Sequence, residues 1–285
     1  MKANFSQHPS THPSIDEMLH FPIRDKRFPV LFIGHGSPMN AIEDNEFTAY
    51  WNRLGRILDK PEAVLVVSAH WLTRGTTKVT AMTAPKTIHD FGGFPEALYE
   101  VQYPALGSPE LAIETQKIIK GTAIELDHDW GLDHGAWSVV KHIYPEADIP
   151  IIQLSIDYGK PAAYHYKLAG ELMELRRRGV LIIGSGNMVH NLRIMDWRHL
   201  NSDNYGFDWA KESNELFKAK ILSKSHNDLI NYQQLGAAVQ LAIPTPDHYF
   251  PLIYVLALQL ANEEVEIFND KYVAGSLSMT SLKIG

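Results

Sequence analysis

The sequence predicts an α/β fold: a single-domain sandwich with a central, largely parallel or mixed sheet flanked by helices. Two observations carry this expectation. From residue 29 onward, short β-branched apolar runs alternate with longer segments of helical character, the succession expected when helices link the strands of one sheet. Several of the apolar runs are continuous and bounded by Gly or Pro, as in strands covered on both faces.

Taken in order, the candidate strands are PVLFIGH (29–35), AVLVVSAH (63–70), TKVTAM (77–82), AIELDH (123–128), IPIIQLSI (149–156) and GVLIIGSG (179–186). Helical segments are expected over 44–57, 109–120, 136–143 and 161–178, and further on over 207–222 and 250–262. Two helix ends are well signalled. Ser108, Pro109 and Glu110 supply an N-cap, a proline at the first helical position and an early acid. Arg176, Arg177 and Arg178 followed by Gly179 place cations in a last turn and then a C′ glycine, so this cluster reads as a helix end rather than an anion site. Residues 1–28 are polar and broken by prolines, and are expected to form an extended N-terminal arm; residues 29–285 then make one domain.

Composition narrows the function. Hydrophobic residues at 45% and charged residues at 21% are the balance of an ordinary globular chain, long enough to build a core without staples. The absence of cysteine excludes disulfides, thiolate metal sites and a cysteine nucleophile. A formal charge of −7 argues against a nucleic acid held through its phosphates. No basic segment leads into an apolar one at the start, and no apolar run approaches the ~18 residues of a membrane span; the cytoplasm is the expected compartment, with no membrane partner.

Histidine placement points to chemistry. In open α/β sheets, ligands gather beyond the carboxyl ends of strands. Three candidate strands run into a histidine there: His35 in FIGHGSP, His70 in VVSAHW and His190 in IIGSGNMVHN. One such histidine is commonly a hydrogen-bonded structural residue; three on one inferred edge suit a metal or proton-transfer site equally well. His248 lies in PTPDHYFP, where Pro244, Pro246 and Pro251 stiffen the loop; it reads either as a ligand or as part of a capping turn with Asp247 as N-cap. His134 lies in WGLDHGAW beside Gly131 and Gly135, and His89 in the aromatic loop TIHDFGGFP suits a pocket wall or a plain surface loop. His142, His128, His165, His199 and His226 read as structural or exposed, and His8, His12 and His20 as solvated. A set of nitrogen and oxygen donors without sulfur suits Fe(II), Zn(II) or Mn(II). HExxH, P-loop and GxSxG motifs are absent, and GSGN at 184–187 lacks full dinucleotide spacing.

Six motifs in order, GHGSPMNAIEDN, VVSAHW, TIHDFGGFP, WGLDHGAW, GSGNMVHNL and TPDHYFPL, resemble those of the DOPA-type class III extradiol ring-cleaving dioxygenases. The likeness runs from about residue 29 to the C-terminal GSLSMTSLKIG. It implies that 29–285 is a catalytic extradiol dioxygenase domain, a non-haem Fe(II) enzyme that binds a catechol such as L-DOPA together with O2 and opens it to a seco-DOPA semialdehyde. By the same resemblance His35, His70 and His248 are metal ligands. His190 becomes the catalytic base, able also to coordinate the resting metal, and His134 a second pocket histidine that contacts or protonates substrate or oxygen intermediates. Protocatechuate-cleaving relatives use two histidines and a glutamate, whereas the C-terminal ligand position here is His248. An all-histidine shell carries less negative charge and also suits Zn(II), which can occupy the site without being the working metal. Two other readings use the same residues: a zinc-dependent hydrolase, which needs no O2, and a metal- or small-ligand-binding protein without turnover. Arg74 and Arg193 lie near the motifs and read equally as surface ion pairs or as contacts to a substrate carboxylate.

Overall fold

The computed structural model describes residues 21–285. Its centre is an eight-stranded sheet in the order β4-β3-β5-β2-β6-β1-β10-β7. The strands are β1 (Val30–Gly34), β2 (Ala63–Thr73), β3 (Thr77–Thr80), β4 (Ile124–Asp127), β5 (Ile151–Asp157), β6 (Val180–Gly186), β7 (Val265–Phe268) and β10 (Ser281–Ile284); β8 (Tyr272–Val273) and β9 (Leu277–Ser278) form a separate ribbon. The inner strands β5, β2, β6 and β1 run parallel. β3 joins β5 antiparallel, and β10 joins β1 antiparallel. The sheet is therefore mixed, with a parallel centre.

Alternation along the parallel strands builds two cores. Val30, Phe32, Leu65, Val67 and Ile182 face one layer, and Leu31, Ile33, Val64, Val66, Leu181 and Ile183 face the other. Both faces are covered, which is why these strands read as unbroken apolar runs. The second layer is closed by α1 (Glu46–Ile57), through Trp51 and Leu54, and by α4 (His134–Ile143), through Trp137, Val140 and Ile143. The first layer is closed by α3 (Pro109–Ile118), α5 (Ala162–Gly170), α7 (Asp208–Leu222) and α10 (Phe250–Leu256), with the short helices α6 (Met173–Arg177), α8 (His226–Ile230) and α9 (Ala237–Ala242), while α2 (Glu96–Tyr99) packs Leu98 into the second layer.

Helix ends follow local chemistry. Asn45 and Thr48 form a capping box on α1. Ser108 caps α3 with Pro109 behind it, as the sequence indicates. The single helix expected over 161–178 is instead α5 and α6, separated after Gly170 where helix propensity is low. α6 ends in Arg176 and Arg177 before Gly179 at φ 78°, the left-handed stop expected. Arg176 is fully buried and pairs with Glu263 at 2.5 Å. The helix placed at 250–262 stops at Leu256. Strands β7 to β10 and helices α2, α8 and α9 were not anticipated; elements of two to six residues are too short to display a period.

Of the expected N-terminal arm, residues 1–20 lie outside the described residues, as do His8, His12 and His20. Residues 21–28 run along the α6 turn: Arg178 donates to Phe21 O, Arg24 N to Arg177 O and Phe28 N to Arg176 O. Among the described residues no helix is long and apolar enough to cross a membrane.

For the site, the relevant consequence is directional. β1, β2 and β6 are parallel, so their carboxyl ends share one edge. β2 outruns β6 there. Its pairing with β6 ends at Ser68, and against β5 the register jumps from Val67↔Leu154 to Leu72↔Ile156. β2 thus takes five residues where β5 takes two, and the excess forms a bulge that re-aims the side chains between.

Candidate metal centre

His35 follows β1 directly and is 1% exposed. His70 sits in the β2 bulge, so it lies within the strand rather than at its end. His190 lies beyond β6 and is fixed by its N–H to Ala242 O and an isolated bridge to Leu277. His248 comes from the proline-rich loop before α10, and its carbonyl accepts from Asn187 N just past β6. His134 is the first residue of α4, earlier than the start expected at Ala136, with Asp133 as N-cap.

These five rings occupy one pocket. The centroids of His35, His70 and His248 form a near-equilateral triangle with sides of 5.0, 5.0 and 5.3 Å. His134 packs on His70 at 3.8 Å, and His190 stacks on His248 at 3.5 Å with planes 6° apart. Ligand atoms of His35, His70 and His134 lie within 4.8 Å of one another, as do those of His190, Asp247 and His248.

Two hydrogen bonds and one close carboxylate contact around the triangle leave one nitrogen of each ring bare. Ser185 Oγ donates to Gly135 O at 2.5 Å, so it can only accept from His35 Nδ1, 3.0 Å away. His70 Nδ1 lies 3.4 Å from Asp90 Oδ2. His248 Nδ1 donates to the Asp247 carboxylate. With each Nδ1 turned to an oxygen, Nε2 carries the lone pair, the arrangement that outer partners impose on metal-binding histidines. The Nε2 atoms of His35 and His70 are 3.1 Å apart, and two lone pairs so close call for a cation between them.

Spacing agrees with that chemistry. With metal–nitrogen bonds of about 2.1 Å, imidazoles sharing one ion at angles of about 90–110° have centroids roughly 4.6–5.3 Å apart. The His35, His70 and His248 triangle matches this range, and the stacked His190–His248 and His70–His134 pairs are tighter. The residues present therefore fit a mononuclear metal bound by three nitrogens, with two further imidazoles beside it.

Electrostatics keeps the rings of His35, His70 and His190 neutral. Burial, reinforced by His248, His134 and His190, holds the His35 imidazole well below the ordinary histidine range. Burial and the surrounding histidines do the same to His70. Burial and the adjacent His248 lower His190 to about 2, with Asp247 opposing. Burial pushes the Asp247 carboxyl up, but its hydrogen bond and charge interaction with His248 outweigh that and hold it low. Neutral imidazoles and ionised carboxylates are the protonation states metal binding requires.

Glycines make room. A Cβ on Gly135 would lie 2.4 Å from Ser68 Oγ and 3.0 Å from His70 Cδ2, and one on Gly186 2.2 Å from His248 O. Ser68 in turn donates to Asp133, which also accepts from Gln153 Nε2 at 2.7 Å, tying the bulge to the start of α4.

Among the described residues the other histidines lie outside the cluster. His89 meets Val101 O and packs with Phe91, Tyr99 and Trp137 near the pocket. His142 contacts Asn40 O, His165 Tyr254, His199 Ser202, and His226 Tyr166 and Gln259, while His128 is exposed. Arg74 lies over the Tyr158 ring and Arg193 is exposed. Asp247 does not cap α10, whose N-cap is Tyr249; its carboxylate turns to His248 instead. Three oxygen partners, Ser185, Asp90 and Asp247, were not assigned to the site from sequence. Adjacency in Asp247-His248 is the one local signal among them; the other two meet their histidines only through folding.

A family model described as the catalytic LigB subunit of aromatic ring-opening dioxygenase matches residues 29–281. The 4,5-DOPA dioxygenase extradiol of Escherichia coli K12 is 48% identical over 263 residues, covering 91% of this chain and 95% of that protein. The protein of that name from Beta vulgaris is 36% identical over 259 residues, covering 88% and 94%. The crystal structure of an uncharacterized protein from Escherichia coli K12 superposes with a TM-score of 0.78 at 42% identity, covering 91% of this chain and all 100% of that one.

Proposed function

Since the chain belongs to the family of catalytic LigB subunits of aromatic ring-opening dioxygenases, we propose that it opens a catechol such as L-DOPA, with His35, His70 and His248 holding the metal and His190 and His134 moving protons. It is an extradiol ring-cleaving dioxygenase, an oxidoreductase that takes a small aromatic substrate and O2 at a non-haem metal. The observation that carries the ligand assignment is the triangle of rings whose Nδ1 atoms each face an oxygen.

Fe(II) in that triangle supplies Lewis acidity toward the catechol oxygens and the redox capacity to engage O2, whereas Zn(II) can fill the same nitrogens without the redox step. His190 lies flat on His248, at the margin of the triangle. Burial keeps its ring neutral, so it is available to accept a proton. A base so reluctant to charge takes the proton only from a substrate that brings its own negative charge into the pocket, and Asp247 favours the cation once formed. His134, with Nδ1 on Asp90 at 3.0 Å, stands across the triangle beside His70. It serves as the opposing proton carrier, taking a proton on Nε2 and returning it when the ring opens. Phe91, 5.6 Å from His134, offers an aromatic wall against which a flat substrate ring can pack. For L-DOPA the product is a seco-DOPA semialdehyde.

The test is oxygen uptake. Protein loaded anaerobically with Fe(II) and given a panel of catechols, L-DOPA among them, is expected to consume O2 with formation of a coloured ring-opened product. No uptake across the panel, or an equal rate without O2 and with Zn(II), overturns the reading in favour of a binding protein or a hydrolase.

A further inference from the structure

We propose that Asp90 is a positioning residue of the site, a single carboxylate that fixes the tautomer and orientation of both His70 and His134. The inference rests on the proposed metal assignment to His35, His70 and His248.

The geometry is compact. Asp90 Oδ1 accepts the backbone N–H of His134 at 2.8 Å, and Oδ2 meets His134 Nδ1 at 3.0 Å and His70 Nδ1 at 3.4 Å. The two rings it serves are only 3.8 Å apart. An ionised carboxylate accepts and cannot donate, so the His134 Nδ1 hydrogen-bonded to it carries the hydrogen, and the same charge 3.4 Å from His70 Nδ1 favours the hydrogen there as well. Both Nε2 atoms are then bare, and that of His70 lies 3.1 Å from that of His35.

Asp90 does not depend on its carboxylate for its own placement. Its loop is docked by Ile88 N to Leu132 O, by Leu132 N to Lys86 O and by Trp137 Nε1 to Ile88 O. These bonds join the loop to the start of α4, where Asp133 already supplies the N-cap. A change confined to the Asp90 oxygens therefore leaves the loop anchored.

Asn is the discriminating replacement. It keeps the volume but has one acceptor where the carboxylate has two. If its oxygen serves the His134 N–H, its amide hydrogens meet the two Nδ1–H groups. If its oxygen serves the rings, the amide hydrogens meet the backbone donor. Either way a donor faces a donor: the first arrangement favours the ring tautomer that spoils Nε2, and the second opposes the His134 N–H that sets the ring's position.

The experiment titrates metal-free wild type, Asp90→Asn and Asp90→Glu with Zn(II), and with Fe(II) under anaerobic conditions, against a chromophoric chelator, with thermal unfolding of each metal-free protein in parallel. Asp90→Asn is expected to keep the wild-type midpoint and to bind metal about 10–100-fold more weakly, the effect typical of losing an outer partner of a ligating histidine. Metal-saturated Asp90→Asn is expected to lose kcat with KM little changed. Asp90→Glu restores two acceptor oxygens and is expected to bind metal more tightly than Asp90→Asn. Wild-type affinity and kcat in Asp90→Asn, or Asp90→Glu binding more weakly than Asp90→Asn, overturns the proposal. Failure of the wild type itself to bind metal overturns the site assignment instead, and needs no variant to be seen.

Discussion

His190 lies face to face on His248, with ring centroids 3.5 Å apart and planes 6° apart. Two imidazoles that close and parallel cannot both meet one metal at ordinary angles, because shared ligands sit roughly 4.6–5.3 Å apart. His190→Ala is therefore expected to retain stoichiometric metal while kcat falls by about 10²–10⁴, the usual contribution of a positioned general base. Metal analysis and steady-state oxygen uptake on the same sample check both halves. Normal turnover removes His190 from the mechanism, and loss of the metal makes it a ligand.

Replacing a corner of the triangle has a different signature. His35→Ala and His70→Ala are each expected to abolish tight metal binding and, with it, turnover. Full metal occupancy in either purified variant contradicts the triangle.

Acidification should destabilise the metal-free protein. His35, His70 and His190 are held below the ordinary histidine range by burial and by one another, so the folded state stays unprotonated while the unfolded chain protonates near pH 6.5. Stability is thus fully present above about pH 6.5 and declines as pH falls toward the folded-state values, each histidine contributing at most about 1.4 kcal/mol per pH unit. Denaturant midpoints measured between pH 7.5 and 5 should fall steadily, and metal affinity should weaken over the same range because the ligands must be deprotonated. A flat profile contradicts the buried neutral cluster.

Gly135 tests the packing behind the site. Its added methyl in Gly135→Ala meets Ser68 Oγ at 2.4 Å and His70 Cδ2 at 3.0 Å. Overpacking of this kind costs about 1–3 kcal/mol, so a lower denaturation midpoint and weaker metal binding are expected together. A change in stability with unaltered metal affinity shows that the bulge absorbs the methyl without moving His70.

How much of this was legible beforehand depends on the range of the interaction. All six expected strands are present, and β1, β5 and β6 are buried at every residue, which is why they read as unbroken apolar runs. The short C-terminal strands escaped because β10 owes its place to pairing with β1, a partner at the other end of the chain, rather than to a pattern of its own. His35 follows β1 directly and His190 lies just past Asn187, Met188 and Val189 beyond β6, so both could be placed at the sheet edge, whereas His70 was placed at a strand end and lies in a bulge that no local pattern announces.

The sequence by itself determined the strand runs, the helix caps and the supply of histidines beyond the parallel strands, since these follow from side-chain chemistry acting over a few residues. His248 in its proline-rich loop was recruited by resemblance, not by period. Tertiary structure alone decided which nitrogen of each ring is bare. Ser185 comes from β6 to His35, and Asp90 crosses 44 positions to His134. Such contacts depend on angles and tenths of an ångström between distant segments, and those are set only when the two cores close around the sheet.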